Sequence, residues 1–297
     1  MKTQSVSCSI CNSNDAVEIF PSGKAQIHRI VKCKKCDLMY ANPQTDNVSA
    51  VEQNYTLNSK YSDGAELLKD FTPEKHQYLK KQFLQINDYQ NILKFIDNDK
   101  KGIMMEIGSY AGIFLKQAKE KGWEVIGVEP LEIPALYSEK IGVSVIRKYF
   151  EDIEIEPNSL DVIVATHVIE HIKNPNLFLD KVFSSLKHGG KLILETPTYD
   201  SIMFKLLKHR ERSVRCNGHL FFFTKKTLSD LLKKNGFNIL RHDYVGRTLT
   251  LDRFLYNLGV ITGSKNMFSK ISKKLQLNQF VIRVNINDMQ RIYCIKP

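Results

Sequence analysis

The sequence predicts an α/β fold: a mostly parallel sheet with helices on both faces, preceded by a small cysteine ribbon. Three observations carry this. From Ile103 onward short apolar runs alternate with helical stretches. The first of these runs ends on a glycine turn that opens a helix. Ahead of them stand two matched C-x-x-C pairs.

The ribbon comes first, over residues 1–45. Cys8, Cys11, Cys33 and Cys36 form CSIC and CKKC, the spacing of a tetrahedral four-cysteine zinc site. The residue after the second cysteine of such a knuckle usually needs positive φ. Asn12 and Asp37 stand there, non-glycine residues tolerant of that conformation. A redox pair would need one C-x-x-C opening a helix, not two matched ones. Four cysteines leave no open coordination position, so the expected zinc is structural. Cys216 and Cys294 are isolated and read as unpaired structural residues. After the ribbon comes ANPQTDN, a turn-rich linker ending near Asn47. Residues 46–99 read as a helical linker or lid carrying Tyr55, Tyr61, Phe71 and Tyr78.

The catalytic part is expected over 100–297. Ile103–Ile107 is an apolar run typical of a strand buried on both faces. Gly108-Ser109-Tyr110-Ala111-Gly112 follows as a turn. Ile113, Phe114, Leu115 and Ala118 recur at helical spacing, and Gly122 stops that helix. Val125–Val128 is the second strand, ending on Glu129-Pro130. Val143–Ile146 and Asp161–Ala165 are the third and fourth, and Glu170 and His171 after the latter are expected to open the next helix. A helix over Leu177–Leu186, capped by Gly189-Gly190, leads to a fifth strand at Lys191–Glu195. A helix over Leu228–Asn235 is closed by Gly236 and followed by a strand near Asn238–Tyr244. A helical insertion is expected near 250–280, and MQRIYCIKP reads as a last antiparallel strand.

The first strand–turn–helix–strand unit points to a nucleoside. The turn places backbone N–H groups and a helix N-terminus beside a ligand. A carboxylate at the tip of the second strand, Glu129, can accept two hydrogen bonds from a ribose diol. A dinucleotide site wants G-x-G-x-x-G, whose middle glycine lets the backbone approach a pyrophosphate. Bulky Tyr110 occupies that position, and Glu106 precedes the turn. Both disfavour phosphate and favour a nucleoside bearing a sulfonium and an ammonium, S-adenosylmethionine (SAM).

EIGSYAGIFL and GVEP resemble the first motif of the class I SAM-dependent methyltransferases. The resemblance implies a Rossmann-like class I methyltransferase sheet. It implies cofactor contacts from Glu106, Gly108, Ser109, Tyr110, Gly112, Glu129, Pro130, Phe150, Thr166 and His167. With CSIC…CKKC, HVIEHIKNP, ETPTYDS, GHLFFFTKKTLSDLLKKNGF and NINDMQRIYCIKP added, nearly the whole chain resembles a narrower group. These are bacterial zinc-ribbon methyltransferases of surface-polysaccharide and natural-product pathways, similar in part to nucleotide-sugar C-methyltransferases. The large extra C-terminal domain of the latter has no counterpart here, so the expected acceptor atom is a hydroxyl oxygen ahead of a carbon. The resemblance carries over His219 as general base. The acceptor expected is a small glycosyl, nucleotide-sugar or natural-product intermediate.

Two alternatives stand beside this. His167-x-x-Glu170-His171 with His219 is similar to the E-x-x-E-H and later His by which small-RNA 3′-terminal methyltransferases bind a divalent cation. That implies a metal-assisted RNA ribose 2′-O-methyltransferase, with Glu170 and His171 as catalytic groups, although only Glu170 supplies the carboxylate a hard cation prefers. Tyr110 and the Tyr149-Phe150 pair depart from the commonest pattern and admit a catalytically degenerate zinc-dependent interaction module.

Net charge is +11, from 43 basic and 32 acidic residues, and the excess is concentrated after Asp200. A basic face suits an anionic small-molecule acceptor, with nucleic acid the less expected partner. No apolar run is long enough to span a bilayer, and MKTQSVSCSIC lacks a signal-peptide core, so the cytoplasm is the expected location. No pattern fixes the oligomeric state.

Overall fold

The computed structural model describes residues 3–45, 89–211, 213–277 and 280–297. Most of the expected lid, residues 46–88, lies outside the described residues.

The ribbon contains β1 (Thr3–Gln4), β2 (Ala16–Phe20), β3 (Ile30–Cys33), β4 (Met39–Ala41) and β5 (Gln44–Thr45). β2, β3 and β4 form an antiparallel meander, and β1 pairs with β5. Asn12 and Asp37 take φ of 56° and 67°, and their N–H groups donate to the carbonyls of Cys8 and Cys33. Those two bonds close the knuckles.

Next come α1 (Tyr89–Phe95), β6 (Ile103–Ile107), α2 (Ile113–Glu120), β7 (Glu124–Val128), α3 (Glu132–Lys140) and β8 (Ser144–Ile146). β9 (Leu160–Thr166), α4 (Pro175–Ser185) and β10 (Leu186–Pro197) follow. α5 (Ile202–Leu207), β11 (Phe221–Phe222), α6 (Lys225–Lys234) and β12 (Asn238–Tyr244) come after them. The last stretch holds β13 (Arg247–Thr250), α7 (Leu251–Thr262), α8 (Lys265–Lys274), β14 (Val281–Val284) and β15 (Met289–Ile295).

Seven strands make the main sheet in the order β12-β15-β10-β9-β6-β7-β8, with only β15 antiparallel to its neighbours. Period-two alternation divides the apolar strand residues between the two faces. Met105, Ile107, Ile163, Ala165, Leu192 and Leu194 belong to one core, with Phe178 of α4 and Leu231 of α6. Met104, Val162, Val164 and Ile193 belong to the other, with Phe114 of α2 and Tyr293 of β15. Burial on both faces explains why these strands read as near-continuous apolar runs. After β6 the chain builds outward through β7 and β8, then returns to place β9 on the other side of β6. That reversal is a topological switch point, the place at the carboxyl ends of the strands where open α/β sheets bind their ligands.

The ribbon shares the first core: Cys8, Cys33, Leu38 and Tyr40 are part of it. Its sheet is completed by β11, which pairs antiparallel with β4. Phe221–Phe222, within the aromatic run, is therefore the fourth strand of the ribbon sheet.

Three further points differ from expectation. The Gly189-Gly190 pair does not cap α4. β10 begins at Leu186 and accommodates both glycines in an irregularity between Leu186 and Lys191, where Gly189 takes φ of 76°. Glu170 and His171 lie on a separate short 3₁₀ turn, Ile169–His171, because Asn174-Pro175 starts the helix afresh. Phe150, expected at the cofactor, has its ring in the core at 5.3 Å from that of Phe178. Lys181 fixes it there, donating to the Phe150 carbonyl with its ammonium over the ring.

Candidate active site

The glycine turn is a tight fit. Gly108, Tyr110 and Gly112 all have positive φ, and the Gly108 N–H donates to the Val128 carbonyl at 2.8 Å. A Cβ on Gly108 would come within 2.8 Å of the Val168 side chain, and one on Gly112 within 2.7 Å of the Ser138 hydroxyl. Neither position has room for a larger residue.

Glu129 follows β7 and is buried. Its two oxygens accept from the Tyr110 and Leu131 N–H groups, each at 2.9 Å. Burial raises the Glu129 pKa, and the two backbone bonds pull it part of the way back. The carboxylate therefore ties the turn to the strand tip. Pro130 beside it is half-buried.

Glu106, near the end of β6, is 2 % exposed, and its Oε2 has no hydrogen-bond partner among the described residues. Burial, and then the charge of Glu129, hold its carboxyl well above the usual range. The buried Ser109 hydroxyl is likewise unpartnered among the described residues. Two buried acids and an unsatisfied hydroxyl around a glycine turn fit a ligand that brings a cation and a diol, as SAM does; they do not fit a phosphate.

A second cluster sits at the carboxyl ends of β9 and β10. Thr166 closes β9, and its hydroxyl lies 3.1 Å from that of Tyr89. His167 takes φ of 58°, and its N–H donates to the Glu195 carbonyl. Its ring stands half-exposed, with Nδ1 3.5 Å from Glu170 Oε1 and Nε2 3.8 Å from Glu195 Oε1. Glu170 is fully buried, and the Thr196 hydroxyl donates to its Oε2 at 2.9 Å. Burial opposes its ionisation, but the hydrogen bond from His167 and the neighbouring imidazoles outweigh it and bring its pKa to about 2.

His171 Nδ1 lies 2.9 Å from the Gly218 carbonyl. A carbonyl only accepts, so Nδ1 carries the proton and Nε2 is the nitrogen available to a ligand. The His219 ring stands edge-on to that of His171 at 4.7 Å, and its Nδ1 is 3.4 Å from the Tyr199 hydroxyl. Burial, then the adjacent His171, lower the His219 pKa to about 3, so its imidazole is neutral. Ligand atoms of Glu170, His171 and His219 all lie within 4.8 Å of one another.

The ribbon holds this loop in place. Gln26 Nε2 donates to the His219 carbonyl at 3.2 Å, and the Ile27 N–H donates to Asn217 Oδ1 at 3.1 Å. From the core side, the Leu220 N–H donates to the Glu170 carbonyl. In the ribbon itself, Cys8, Cys11, Cys33 and Cys36 converge with ligand atoms within 4.8 Å, and none forms a disulfide.

Sequence reasoning missed Tyr89, Tyr199, Gln26 and Thr196. It also missed the buried ion pair of Arg291 Nε with Glu195 Oε2 at 2.8 Å, which sits directly behind His167. The one available signal was Gln290-Arg291 interrupting an otherwise apolar strand.

A sheet with a switch point, a glycine turn and a strand-tip acid at that point define a nucleoside-binding α/β domain of the methyltransferase kind. The methyltransferase domain family matches residues 78–242, more than half of the chain, and the chain belongs to that family, the class I SAM-dependent methyltransferases. An uncharacterized protein of Methanocaldococcus jannaschii, MJ1123, is 28% identical over 141 residues, covering 48% of this chain and 67% of that protein. A ubiquinone biosynthesis O-methyltransferase of Nitrobacter winogradskyi is 31% identical over 99 residues, 31% of this chain and 38% of that protein. The match thus spans well under half of the ubiquinone enzyme. A solved SAM-dependent methyltransferase of Thermotoga maritima, described as a possible histamine N-methyltransferase, superposes with a TM-score of 0.53. That match has 20% identity and covers 84% of this chain and 100% of that one, a likeness of fold.

Proposed function

We propose that the protein transfers the methyl group of SAM to a hydroxyl of a small glycosyl, nucleotide-sugar or natural-product intermediate. SAM, when bound, supplies the methyl group on a sulfonium. Glu106 would face its cationic part, and Glu129 its ribose, with the turn Gly108–Gly112 along the nucleoside. Cys8, Cys11, Cys33 and Cys36 would hold a structural zinc.

The single observation that carries the hydroxyl reading is the Glu170–His171–His219 cluster at the carboxyl ends of β9 and β10. A hydroxyl must lose its proton as it is methylated, and this cluster offers neutral imidazole and ionised carboxylate in a water-poor setting. The first role is general base, with His219 Nε2 receiving the proton. The ribbon strand β11 and the Gln26 bond keep that imidazole in place. The names of the ubiquinone biosynthesis relatives, O-methyltransferases, support oxygen as the acceptor atom.

A second reading rests on the same cluster. Two imidazoles and a carboxylate within 4.8 Å also suit a divalent cation, and Nδ1 of His171 is already oriented by the Gly218 carbonyl. A cation there would lower the acceptor hydroxyl's pKa and so ease transfer of its proton to an imidazole of depressed basicity. RNA ribose is the acceptor class this version would add.

Turnover and binding separate the two. On the base reading, His219→Ala lowers turnover by roughly 10²–10⁴-fold with SAM affinity unchanged, and added magnesium or manganese changes nothing. On the cation reading, Glu170→Ala and His171→Ala are as damaging as His219→Ala, and manganese binding followed by electron spin resonance is lost in all three. Full activity in His219→Ala refutes both.

A further inference from the structure

The insertion between β12 and β15 carries a surface the reaction does not use. α7 and α8 pack on each other. Along α8, Phe268 is half-buried and Ser272 buried, on the covered side. Next to them around the helix, Met267 and Ile271, one turn apart, and Leu275 just beyond its last residue are 52%, 39% and 57% exposed. Three large apolar side chains in a row facing water are a stripe, not scattered exposure. The same helix carries Lys265, Lys270, Lys273 and Lys274 and no acidic residue. Lys270 and Lys274 are exposed beside the stripe.

A second element has the same character. On α5, Ile202 and Leu206 are 70% and 72% exposed, one turn apart. Lys205, Lys208 and Arg210 lie within and just beyond it, with no acid before Glu211. Topology brings the two elements to one end of the molecule. Pro197 at the end of β10 pairs with Met289, and Tyr244 at the end of β12 pairs with Gln290. Both α5 and the insertion therefore leave the sheet at its carboxyl end, the end that carries Glu106, His167 and Glu170.

We propose that this end of the protein docks on an anionic phospholipid surface. Met267, Ile271 and Leu275 enter the headgroup boundary, and the lysines of α8 with the cations after α5 meet lipid phosphates. An apolar stripe flanked by lysines on a helix too short to span is the pattern of an interfacial helix. Charge selects this occupant. A second copy pairing α8 with itself would set lysine against lysine. A nucleic acid would find aliphatic side chains where stacking aromatics or base-edge donors are needed. The inference is independent of which hydroxyl is methylated: it places the active-site mouth at a membrane surface.

The test is co-sedimentation with phosphatidylcholine vesicles, with and without phosphatidylglycerol, at physiological salt. Binding is expected only with phosphatidylglycerol present and should weaken as salt rises. Lys270→Glu with Lys274→Glu should reduce partitioning by about thirtyfold or more. Met267→Ser with Ile271→Ser should reduce it at unchanged charge. Thermal unfolding and SAM affinity confirm that each variant is folded. No binding, equal binding to both vesicle types, or variants that partition like the parent overturn the proposal. A concentration-dependent dimer that Ile271→Ser abolishes assigns the face to a second copy. Displacement from vesicles by single-stranded RNA at physiological salt assigns it to nucleic acid. Either result overturns the lipid assignment.

Discussion

Replacing Glu106 by Gln should make the protein more stable and bind SAM less well. Glu106 is 2 % exposed, its Oε2 has no partner among the described residues, and the charge acting on it is that of Glu129. Burial and that like charge raise its pKa in the folded chain. A carboxyl whose pKa is raised on folding binds its proton more tightly in the native state than in the unfolded one. Its contribution is most favourable below the ordinary carboxylate range and is lost as pH rises toward the raised value. Gln keeps the shape and cannot ionise, so the variant lacks that decline. At neutral pH it should be more stable by about 1 kcal/mol or more, the margin between burying a charged and a neutral unpartnered group. For a protein of this size that is roughly 2–4 °C in Tm. Against SAM the sign reverses. One charge-assisted hydrogen bond to a cation is worth about 1.5–3 kcal/mol, so the Kd should rise roughly 10- to 150-fold. Binding a cation beside Glu106 also expels its proton, so wild-type affinity should increase with pH and the variant's should not. Thermal unfolding across pH and calorimetry with SAM in buffers of different ionisation enthalpy measure both halves. A variant that binds SAM as tightly as the parent, or is less stable at neutral pH, refutes the reasoning.

Two further outcomes follow from the same geometry. Glu129→Ala removes acceptors from both the Tyr110 and Leu131 N–H groups, so it should loosen the glycine turn and weaken SAM binding at least about tenfold; calorimetry showing unchanged affinity refutes this. Cys33→Ser should release one zinc per chain, seen by elemental analysis, and should lower kcat more than it raises the SAM Kd, because the ribbon holds the His219 carbonyl through Gln26; wild-type zinc content or an unchanged kcat refutes it.

Much of the main sheet was legible because its strands are buried on both faces. Ile103–Ile107 and Leu160–Thr166 announce themselves as apolar runs, and Gly108, Gly112 and Glu129 fall at offsets set by backbone geometry. Asn12 and Asp37 were readable for the same reason: positive φ restricts the residues that fit. What could not be read depends on distant partners. β11 has two residues, too few for periodicity, and exists only because β4 offers an edge. Phe150 looked like a ligand-facing aromatic, yet Lys181 and Phe178 draw it inward. Gly189-Gly190 reads as a cap wherever it stands, and only the sheet register shows it inside a strand. At the site, Glu170, His171 and His219 stand together, but Thr196, Tyr199 and Gln26, which orient them, come from other elements and carry no local signature.

The long-range closure of the ribbon has a consequence for how the chain is made. All four cysteines have been synthesised by Cys36, so a metal can be captured early. The strand that covers the edge of β4 arrives far later: Gln26 and His219, joined by a hydrogen bond, are 193 residues apart. At 5–20 residues per second that is an interval of roughly 10–40 s. Through it the apolar edge Met39–Ala41 offers unpaired N–H and C=O groups to any other extended segment. Nascent chains cut short before Phe221 would keep that edge permanently open, so aggregation should set in sharply with truncation at that point and be relieved once β11 is included.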